Sequence, residues 1–482
     1  MAGADQDCES EDRRICSGCV SEAFLSSLIA QRDIAPCSYC GSSAPSITIE
    51  ELADEVDAAF EAHYTRTVDQ PDSMQERMLS DPESEYEWDR DGYPVIDAIA
   101  DAAGISEEVA GEVQSILCDR HADMDAAQMG DETEFDSDSH YEEKGPDAYE
   151  WHVAWREFEH SLKTHARFFS ESAARHLAEV FGGIDLLQTR AGHPLVVAAG
   201  PGTALERLFR SRVFQSVEAL EDALRNPENH LGPPPQKYAR AGRMNAQGIS
   251  VFYGATDEKV AIAEVRPPVG SRLVVASFAI TRSLCLLDLT ALDETNLTGS
   301  VFDQSFKRRL ERVAFLRTLG RRMARPVMPD DEAIDYLPTQ AVADFLASMN
   351  QPRLDGIIFP SAQTKDGRNV VLFHDAARVH HPAHLEGAEI DVNTGHTTED
   401  GWEDDYSVLE EVTAPAESMP PKPDEPFWTT LTREPCTPPR WDGDYRDATL
   451  EVDRGSMKVH HVTWVDVNTV EFPVRHHRQI KR

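Results

Sequence analysis

The spacing of hydrophobic positions changes once along this chain, near residue 185. Before that point, from about residue 47, apolar residues recur at helix-like intervals between acidic faces, which predicts an α-helical region. After it, short apolar runs typical of strands mix with helical segments. They lack the regular alternation of a doubly wound sheet, so we predict an α+β fold with a mixed sheet. The strand-like runs are LVVAAG, SVFYGA, RLVVASFAI, SLCLLDL, GIIFP and NVVLF, and the helix-like runs are KVAIAEVRP, DQSFKRRLERVAFLRTLGRRMA and TQAVADFLASMN.

Three long segments carry the helical pattern of the N-terminal half. They are ITIEELADEVDAAFEAHY, YPVIDAIADAAGISEEVAGEVQSIL and WHVAWREFEHSLKTHARFFSESAARHLAEVFGGI. Between the second and the third, the acid run of residues 131–147 predicts a solvated loop. The basic segment of residues 307–325 has apolar residues at helical spacing, which predicts an ordinary amphipathic helix.

These patterns divide the chain of 482 residues into five parts. We predict a cysteine-bearing module, an acidic helical domain, an α+β catalytic domain, an acidic proline-rich linker, and a C-terminal β-hairpin or meander that packs on the core or forms the edge of a homodimer. Their predicted bounds are residues 1–46, 47–185, 186–385, 386–447 and 448–482.

The formal net charge of −40 limits the kinds of molecule that we expect the chain to bind. A surface of that sign repels nucleic acid and anionic membranes, so we expect neither as a partner. The acids crowd the first 160 residues and residues 386–447, whereas the α+β part is roughly balanced. No apolar run approaches the roughly 20 residues that span a bilayer, and the N-terminus lacks the apolar core of a signal peptide. We therefore expect a cytoplasmic protein.

Two CxxC pairs lie close to the N-terminus. Cys16 with Cys19 and Cys37 with Cys40 are separated by a span close to that of tetrathiolate zinc sites, and the segment between them predicts one short helix. Four thiolates would fill the coordination of a structural Zn2+ ion. The alternative is a pair of redox-active or free CxxC motifs.

Residues 242–267 read GRMNAQGISVFYGATDEKVAIAEVRP and hold the most informative chemistry. Arg243 follows a glycine at a turn and could bind a pyrophosphate through its planar fork, or it could be an exposed surface arginine. Tyr253 could stack on a ring or point its hydroxyl at a ribose, or pack in the core. Glu264 could stabilise positive charge at a sugar carbon, or form a salt bridge with Arg266 or Arg243.

Four residues outside this stretch are further candidates. Arg210 and Arg212 could bind the same anion, and Ser361 follows a strand end where its hydroxyl could receive a phosphate oxygen. Asn369 could brace the loop after Ser361 or simply form a turn. Because no GxGxxG motif opens a helix after the first strand, we do not expect a Rossmann site.

At these residues the sequence resembles the RES-domain family, over roughly residues 180–385. The resemblance also rests on LFRSR, GPPPQKYARAGRMN, DYLPTQAVADFL and on the serine after RLDGIIFP. It implies a bacterial NAD-consuming toxin with a fold related to ADP-ribosyltransferases. The implied catalytic residues are Arg243, Tyr253, Glu264 and Ser361, and the implied substrate-binding residues are Arg210, Arg212 and Asn369.

The N-terminal part resembles the HEPN/RES amino-terminal domain. Some HEPN proteins are ribonucleases that carry an arginine, then four to six intervening residues, then a histidine, and neither candidate pair in the N-terminal part has that spacing. Arg156 lies too close to His160, and Arg167 lies too far from His176. We therefore expect a non-catalytic scaffold or sensor.

The activity implied by the resemblance is cleavage of the bond between nicotinamide and ribose. NAD+ would be a substrate rather than a recycled cofactor, and either phosphate or water could accept the ADP-ribose. Two alternatives stay open: transfer of ADP-ribose to a macromolecule, and an interaction protein that senses a nucleotide without turnover. Because an uncontrolled NAD+ consumer harms its own cell, we also expect an antitoxin or another regulatory protein as a partner.

Overall fold

The computed structural model describes residues 13–81, 83–165, 167, 169–328, 330–382, 388–411, 444–466 and 469–479. These residues fall into two compact units. Unit 1 comprises residues up to Val153 together with Asn296–Phe315, and unit 2 comprises Ala154–Thr295 together with residues from Leu316 onward.

The helices and strands follow one another in the mixed order expected of an α+β protein. The helices are α1 (Ala23–Ile29), α2 (Ile49–His63), α3 (Ser73–Ser80), α4 (Val95–Ala103), α5 (Glu107–Arg120), α6 (Met124–Met129), α7 (Tyr149–Thr164), α8 (Glu171–Phe181), α9 (Val217–Arg225), α10 (Pro227–His230), α11 (Glu258–Glu264), α12 (Phe306–Ala324), α13 (Glu332–Asp335) and α14 (Leu337–Ser348). The strands are β1 (Arg14–Cys16), β2 (Ile34–Pro36), β3 (Ser43–Thr48), β4 (Tyr64–Arg66), β5 (Tyr93–Pro94), β6 (His140–Glu143), β7 (Gln188–Thr189), β8 (Val196–Ala199), β9 (Arg207–Phe214), β10 (Phe252–Ala255), β11 (Arg272–Ile280), β12 (Leu284–Asp288), β13 (Thr295–Asn296), β14 (Gly356–Pro360), β15 (Arg368–Leu372), β16 (Glu389–Thr398), β17 (Gly401–Glu411) and β18 (Leu450–His461).

Unit 1 is built on the predicted helices. A capping box starts α2, in which Thr48 accepts a hydrogen bond from the backbone of Glu51 and the Glu51 carboxylate accepts one from the backbone of Thr48. The second predicted helical segment is two helices, α4 and α5, because Gly104 adopts a left-handed conformation at φ 62° and ends the first of them.

The acid run of residues 131–147 differs from the predicted solvated loop. Phe135 and Tyr141 lie in the core of unit 1, exposed by only 3% and 2%, and β6 pairs with both β4 and β5. The sequence pattern missed this because two isolated aromatic residues among many acids carry too little periodic signal. The aromatic residues anchor the segment, and the carboxylate of Glu132 pairs with Arg90 and Arg66.

Unit 2 contains an eight-stranded mixed sheet in the order β18-β11-β9-β10-β15-β14-β12-β8. β12 and β14 are parallel, whereas the other described pairs are antiparallel. All six predicted strand runs lie in this sheet, which confirms the α+β prediction. The strand β9 was not predicted, because buried arginines interrupt its apolar alternation.

The two faces of this sheet have different coverings near β10. Phe252 belongs to the large core that also contains Leu208, Val274 and Leu372. On the opposite face Ala255 packs with Val260 and Ala261 of α11. The short helix α11 therefore lies over one face of β10. It fixes the position of Glu264, which lies about one helical turn after Ala261.

The C-terminal part differs from the predicted arrangement. Residues 389–411 were assigned to a linker, yet β16 and β17 form an antiparallel hairpin. The predicted C-terminal hairpin is replaced, within the described residues after 444, by the single strand β18 paired with β11. The acidic composition of β16 and β17 hid their strand character, since few residues in them are apolar. Residues 412–443 of the predicted linker lie outside the described residues.

Across the described residues, none of the helices combines the length and the apolar character that crossing a membrane requires.

Candidate functional site

A cavity of about 670 Å³ lies in unit 2 at the junction of β9 and β10. β10 meets β9 through one residue pair, Ala255 with Phe209, whereas β9 continues beside β11 as far as Phe214. The cavity occupies the region where the two strands part. Its volume is in the range typical of sites for small molecules and cofactors. Five of the predicted site residues line it: Arg210, Arg212, Tyr253, Glu264 and Asn369.

Glu264 enters the cavity from the last turn of α11. Its Oε1 accepts a hydrogen bond of 2.5 Å from the hydroxyl of Ser361, which in turn accepts the backbone N–H groups of Gln363 and Thr364 at 3.0 and 3.2 Å. Among the described residues Glu264 forms no ion pair, so the salt bridge with Arg243 or Arg266 is absent. The serine therefore holds the carboxylate in one position.

The turn after β14 is packed closely against α11. A Cβ atom at Gly367 would lie 1.9 Å from Oγ1 of Thr364 and 2.6 Å from a methyl group of Val260. Only a glycine fits there, and its carbonyl accepts the backbone N–H of Ser361 at 2.8 Å. The turn thus fixes the serine that holds Glu264.

Arg210 is a buried cation without a counter-ion among the described residues. It is 6% exposed, its Nη1 has no hydrogen-bond partner, and its guanidinium lies 4.8 Å from the centre of the Phe252 ring. Burial, with repulsion from Arg212, lowers the pKa of Arg210 well below its usual value, and burial also lowers the pKa of Arg212. Within the described part of the chain neither arginine pairs with a carboxylate, so both remain free to bind an anion in the cavity.

Asn369 lies in β15, which excludes the alternative that it simply forms a turn. It is 5% exposed, and its Oδ1 has no hydrogen-bond partner. Ser211, which also lines the cavity, has a buried hydroxyl that likewise has no hydrogen-bond partner among the described residues. Buried polar atoms are rarely left unpaired, so these two and Arg210 indicate a polar ligand.

The hydroxyl of Tyr253 is already engaged. It donates to Oδ1 of Asn245 at 3.0 Å and accepts the backbone N–H of Met244 at 3.0 Å, and burial raises its pKa to about 12. A Cβ atom at Gly242 would lie 2.6 Å from Oδ1 of Asn245 and 2.9 Å from the Tyr253 hydroxyl. This glycine therefore makes room for the tyrosine, and the ring of Tyr253 is what remains available to a ligand.

Arg243 is not among the residues that line the cavity. Its Nη1 donates to the carbonyl oxygens of Met323 and Arg325, both at 2.8 Å, and its guanidinium lies 5.3 Å from the centre of the Tyr336 ring. These carbonyls are at the C-terminal end of α12, where a cation is favourable. The side chain thus ties the turn beside Tyr253 to a helix end.

Sequence reasoning missed several residues of the cavity wall. Tyr238 and Arg240 lie in the segment GPPPQKYARAGRMN, and Asn229 and His230 come from α10. An aromatic and a basic residue within a proline- and glycine-rich segment were the available signal. With Arg240, the wall carries three arginines against the single carboxylate of Glu264.

The four cysteines of the CxxC pairs lie together in unit 1. Their sulfur atoms are all within 4.8 Å of one another, with individual separations of 3.6 Å for Cys16 and Cys40, 3.7 Å for Cys16 and Cys19, and 3.8 Å for Cys19 and Cys37. Hydrogen bonds from Ser42 lower the pKa of Cys40 to about 6. The four sulfurs are therefore close enough to bind one metal ion.

Unit 1 has a cavity of its own, of about 380 Å³, and its polar groups pair with one another. His121 Nε2 lies 2.9 Å from Asp57 Oδ1, and the hydroxyl of Tyr141 donates to Glu134 at 2.5 Å. Among the described residues that line it, no buried polar atom lacks a partner. Of these two cavities, the one in unit 2 is the one that unpaired buried polar atoms line.

Comparison with known families agrees with this location. Residues 208–393 match the family model described as RES domain, so this part of the chain is a RES domain. Neither the curated proteins nor the solved structures gave a match. The RES-domain family is associated with NAD-related activity. The matched residues contain every residue that lines the cavity, and the HEPN assignment of the N-terminal part stays a prediction.

Proposed function

We propose that the chain degrades NAD+ by cleaving the bond between nicotinamide and ribose. The observation that carries the proposal is the presence, in one cavity, of a carboxylate held by Ser361 and of the unpaired guanidinium of Arg210. A pyrophosphate would neutralise Arg210 and Arg212. The carboxylate of Glu264 would lie against the ribose carbon, where positive charge develops as nicotinamide departs.

This reaction needs no general acid to protonate the leaving group. The electron pair of the broken C–N bond passes to the pyridinium nitrogen, which leaves as neutral nicotinamide. An oxygen of phosphate or of water forms the new bond to the ribose carbon. Water loses its proton, which Glu264 is placed to accept. Phosphorolysis would give ADP-ribose phosphate, and hydrolysis would give ADP-ribose.

The other predicted residues take positioning parts in this proposal. Tyr253 presents its ring to the substrate while its hydroxyl holds the turn of residues 242–245. Arg243 acts on the same turn through α12 and does not bind the pyrophosphate itself. Ser361 acts on Glu264 and is not a nucleophile, since its hydroxyl is committed to three hydrogen bonds.

The test is to incubate the purified full chain with NAD+, with and without phosphate, and to measure the released nicotinamide and the mass of the ADP-ribose product. We expect Glu264→Gln to abolish release and Glu258→Gln, on the same helix but outside the cavity, to leave it unchanged. An absence of release by the wild-type protein would overturn the proposal. Label from the ADP-ribose moiety on a protein or nucleic acid would favour transfer, and binding without turnover would favour a nucleotide sensor.

We propose further that the cysteine cluster holds a structural Zn2+ ion. Zinc–sulfur bonds of about 2.3 Å in a tetrahedron place the sulfur atoms about 3.8 Å apart. Three of the separations, at 3.6–3.8 Å, fit that geometry, and all four sulfur atoms lie within 4.8 Å of one another. Because four sulfurs leave no open position, the ion would stabilise β1, β3 and α1 and take no part in the reaction.

The biological role that this activity supports is that of a toxin or defence effector acting in the cytoplasm, where NAD+ is present and thiols stay reduced. Consumption of NAD+ would arrest the cell that makes the protein, so a neutralising partner is required. Induced expression of the wild-type chain should lower cellular NAD+ and stop growth, and expression of Glu264→Gln should do neither. Growth arrest by the variant would separate toxicity from NAD+ consumption.

A further inference from the structure

The unpaired amide of Asn369 occupies a defined place on the sheet. In the register of β15, Asn369 lies opposite Ala255 of β10 on one side and Phe359 of β14 on the other. Side chains of directly paired residues share a face, so all three lie on the face that α11 covers. Glu264, at the end of α11, faces the same cavity.

Asn369 and Glu264 are attached to the same end of the β14–β15 hairpin. Asn369 lies two residues after Gly367, whose carbonyl accepts the backbone N–H of Ser361. Ser361 lies two residues after Phe359 and holds Glu264. The amide and the carboxylate therefore face one cavity from the same end of the hairpin, with the apolar side chains of Ala255, Ala261 and Phe359 as the adjoining wall.

We propose that Asn369 recognises the carboxamide of the nicotinamide ring and makes the site selective for a carboxamide over a carboxylate. The inference rests on the proposed function, because it assumes that the ribose carbon lies at Glu264. A primary amide offers one acceptor oxygen and two N–H donors. It can exchange two reciprocal hydrogen bonds with a carboxamide, whereas an ionised carboxylate offers acceptors only and would face Glu264 as a like charge.

The proximity of Glu264 decides between the two ends of the dinucleotide. An asparagine amide can also pair with the edge of adenine. In NAD+, however, the pyrophosphate separates adenine from the ribose carbon that loses nicotinamide, and the arginines proposed for the pyrophosphate lie on β9. The ring next to the reacting carbon is nicotinamide, so Asn369, on the sheet face that α11 covers, meets that ring.

Binding and turnover test the proposal separately. We would titrate the full chain with nicotinamide, nicotinate and AMP, and measure the turnover of NAD+ and of its nicotinate analogue. Asn369→Leu should weaken nicotinamide binding by about 10- to 100-fold, the value of two hydrogen bonds, and should leave AMP binding unchanged. It should lower kcat/KM far more for NAD+ than for the analogue. Asn369→Asp, which keeps the shape, should lose nicotinamide affinity and bind nicotinate still more weakly.

The matched control is Asn350→Leu, a second buried asparagine whose amide donates to the carbonyl of Pro352 at 2.8 Å outside the cavity. It should lose stability without a change in selectivity. Equal losses for both dinucleotides in Asn369→Leu, or a loss confined to AMP, would overturn the assignment. A preference for nicotinamide that depends on Asn369 would support it even if NAD+ is not turned over, in which case only the proposed reaction fails.

Discussion

The hydroxyl of Ser361 joins Glu264 to the backbone of the turn that follows β14. It donates to the carboxylate at 2.5 Å and accepts the N–H groups of Gln363 and Thr364. One oxygen atom thus holds a turn and orients a side chain of a different element, α11. In the proposed reaction this serine positions Glu264, because its hydroxyl is already hydrogen-bonded and is not free to act as a nucleophile.

Replacing Ser361 should therefore affect the reaction rate more than substrate binding. We expect Ser361→Ala to lower kcat by about 10- to 100-fold with little change in KM, because a small displacement of a reacting group is enough for such a loss. Ser361→Thr keeps the hydroxyl and should restore part of kcat. Ser216→Ala removes a serine that caps α9 away from the cavity and should cost stability alone. A KM effect as large as the kcat effect would contradict the assignment.

The buried charge of Arg210 predicts that this arginine lowers the stability of the ligand-free chain and is needed for ligand binding. Because the folded protein holds this cation without a counter-ion, Arg210→Met should raise the free energy of unfolding of the ligand-free chain, by about 1–3 kcal/mol. The same variant should lose the thermal stabilisation that ADP-ribose gives the wild-type protein. Denaturant unfolding and melting curves measure the two effects. A variant that is less stable and still binds ADP-ribose would show that Arg210 is structural.

The apolar pattern was sufficient for much of the fold, since every predicted run of β-branched and aliphatic residues in the α+β part is a strand of the sheet. It failed where buried positions are polar or where strands are acidic. In β9, Arg210 occupies an interior position, and β16 and β17 carry many carboxylates along a largely exposed hairpin. The residue types at those positions follow from ligand binding or from exposure to solvent, and the hydrophobic periodicity of the sequence contains no information on either.

The candidate site shows the same division. The resemblance to the RES-domain family indicated Glu264, Tyr253 and Ser361, whereas the residue types and spacing alone left simpler interpretations open. The direction of Arg243 toward the end of α12 depends on a contact some 80 residues away in the sequence, and no local pattern contains it. The unpaired state of Asn369 likewise follows from its neighbours in space.

The cysteine cluster predicts one zinc ion per chain. Metal analysis of protein purified without a chelator should find it, and Cys37→Ser should lose it together with part of the stability of unit 1, since ligand loss leaves an incomplete site. Cys118→Ser is the matched control, because this cysteine lies in the same unit outside the cluster. Full-length protein that is free of metal and equally stable would refute the zinc proposal.

Arg454 of β18 should be important for the wall of the cavity. It pairs with both oxygens of Glu228, at 3.0 and 2.8 Å, and with Glu410 at 2.7 Å. Glu228, 6% exposed, belongs to α10, whose residues Asn229 and His230 line the cavity. Arg454→Met leaves that carboxylate buried and unpaired, which should cost about 3–5 kcal/mol of unfolding free energy.

A double-mutant cycle separates this pairing from a general effect on β18. Adding Glu228→Gln to Arg454→Met should recover much of the lost stability, because the uncompensated charge is removed. Lys458→Met, on the same strand, breaks an exposed pair with Glu258 and should cost less than about 1 kcal/mol. Equal costs for the Arg454 and Lys458 variants would argue against a special role for the buried pair.

The raised pKa of Tyr253 makes stability fall at alkaline pH. The phenol ionises at about 10 in the unfolded chain and at about 12 in the folded protein. Between these values the folded state holds a proton that the unfolded state has lost, so the contribution is complete below about pH 10 and is lost as pH rises toward about 12. A shift of that size corresponds to about 2–3 kcal/mol. Tyr253→Phe lacks this titration, so the difference in unfolding free energy between the two proteins should shrink over that range. Because every other tyrosine is common to both proteins, this difference reports on Tyr253 alone. A difference independent of pH would mean that the phenol titrates alike in the folded and unfolded chain, and that burial does not hold it neutral.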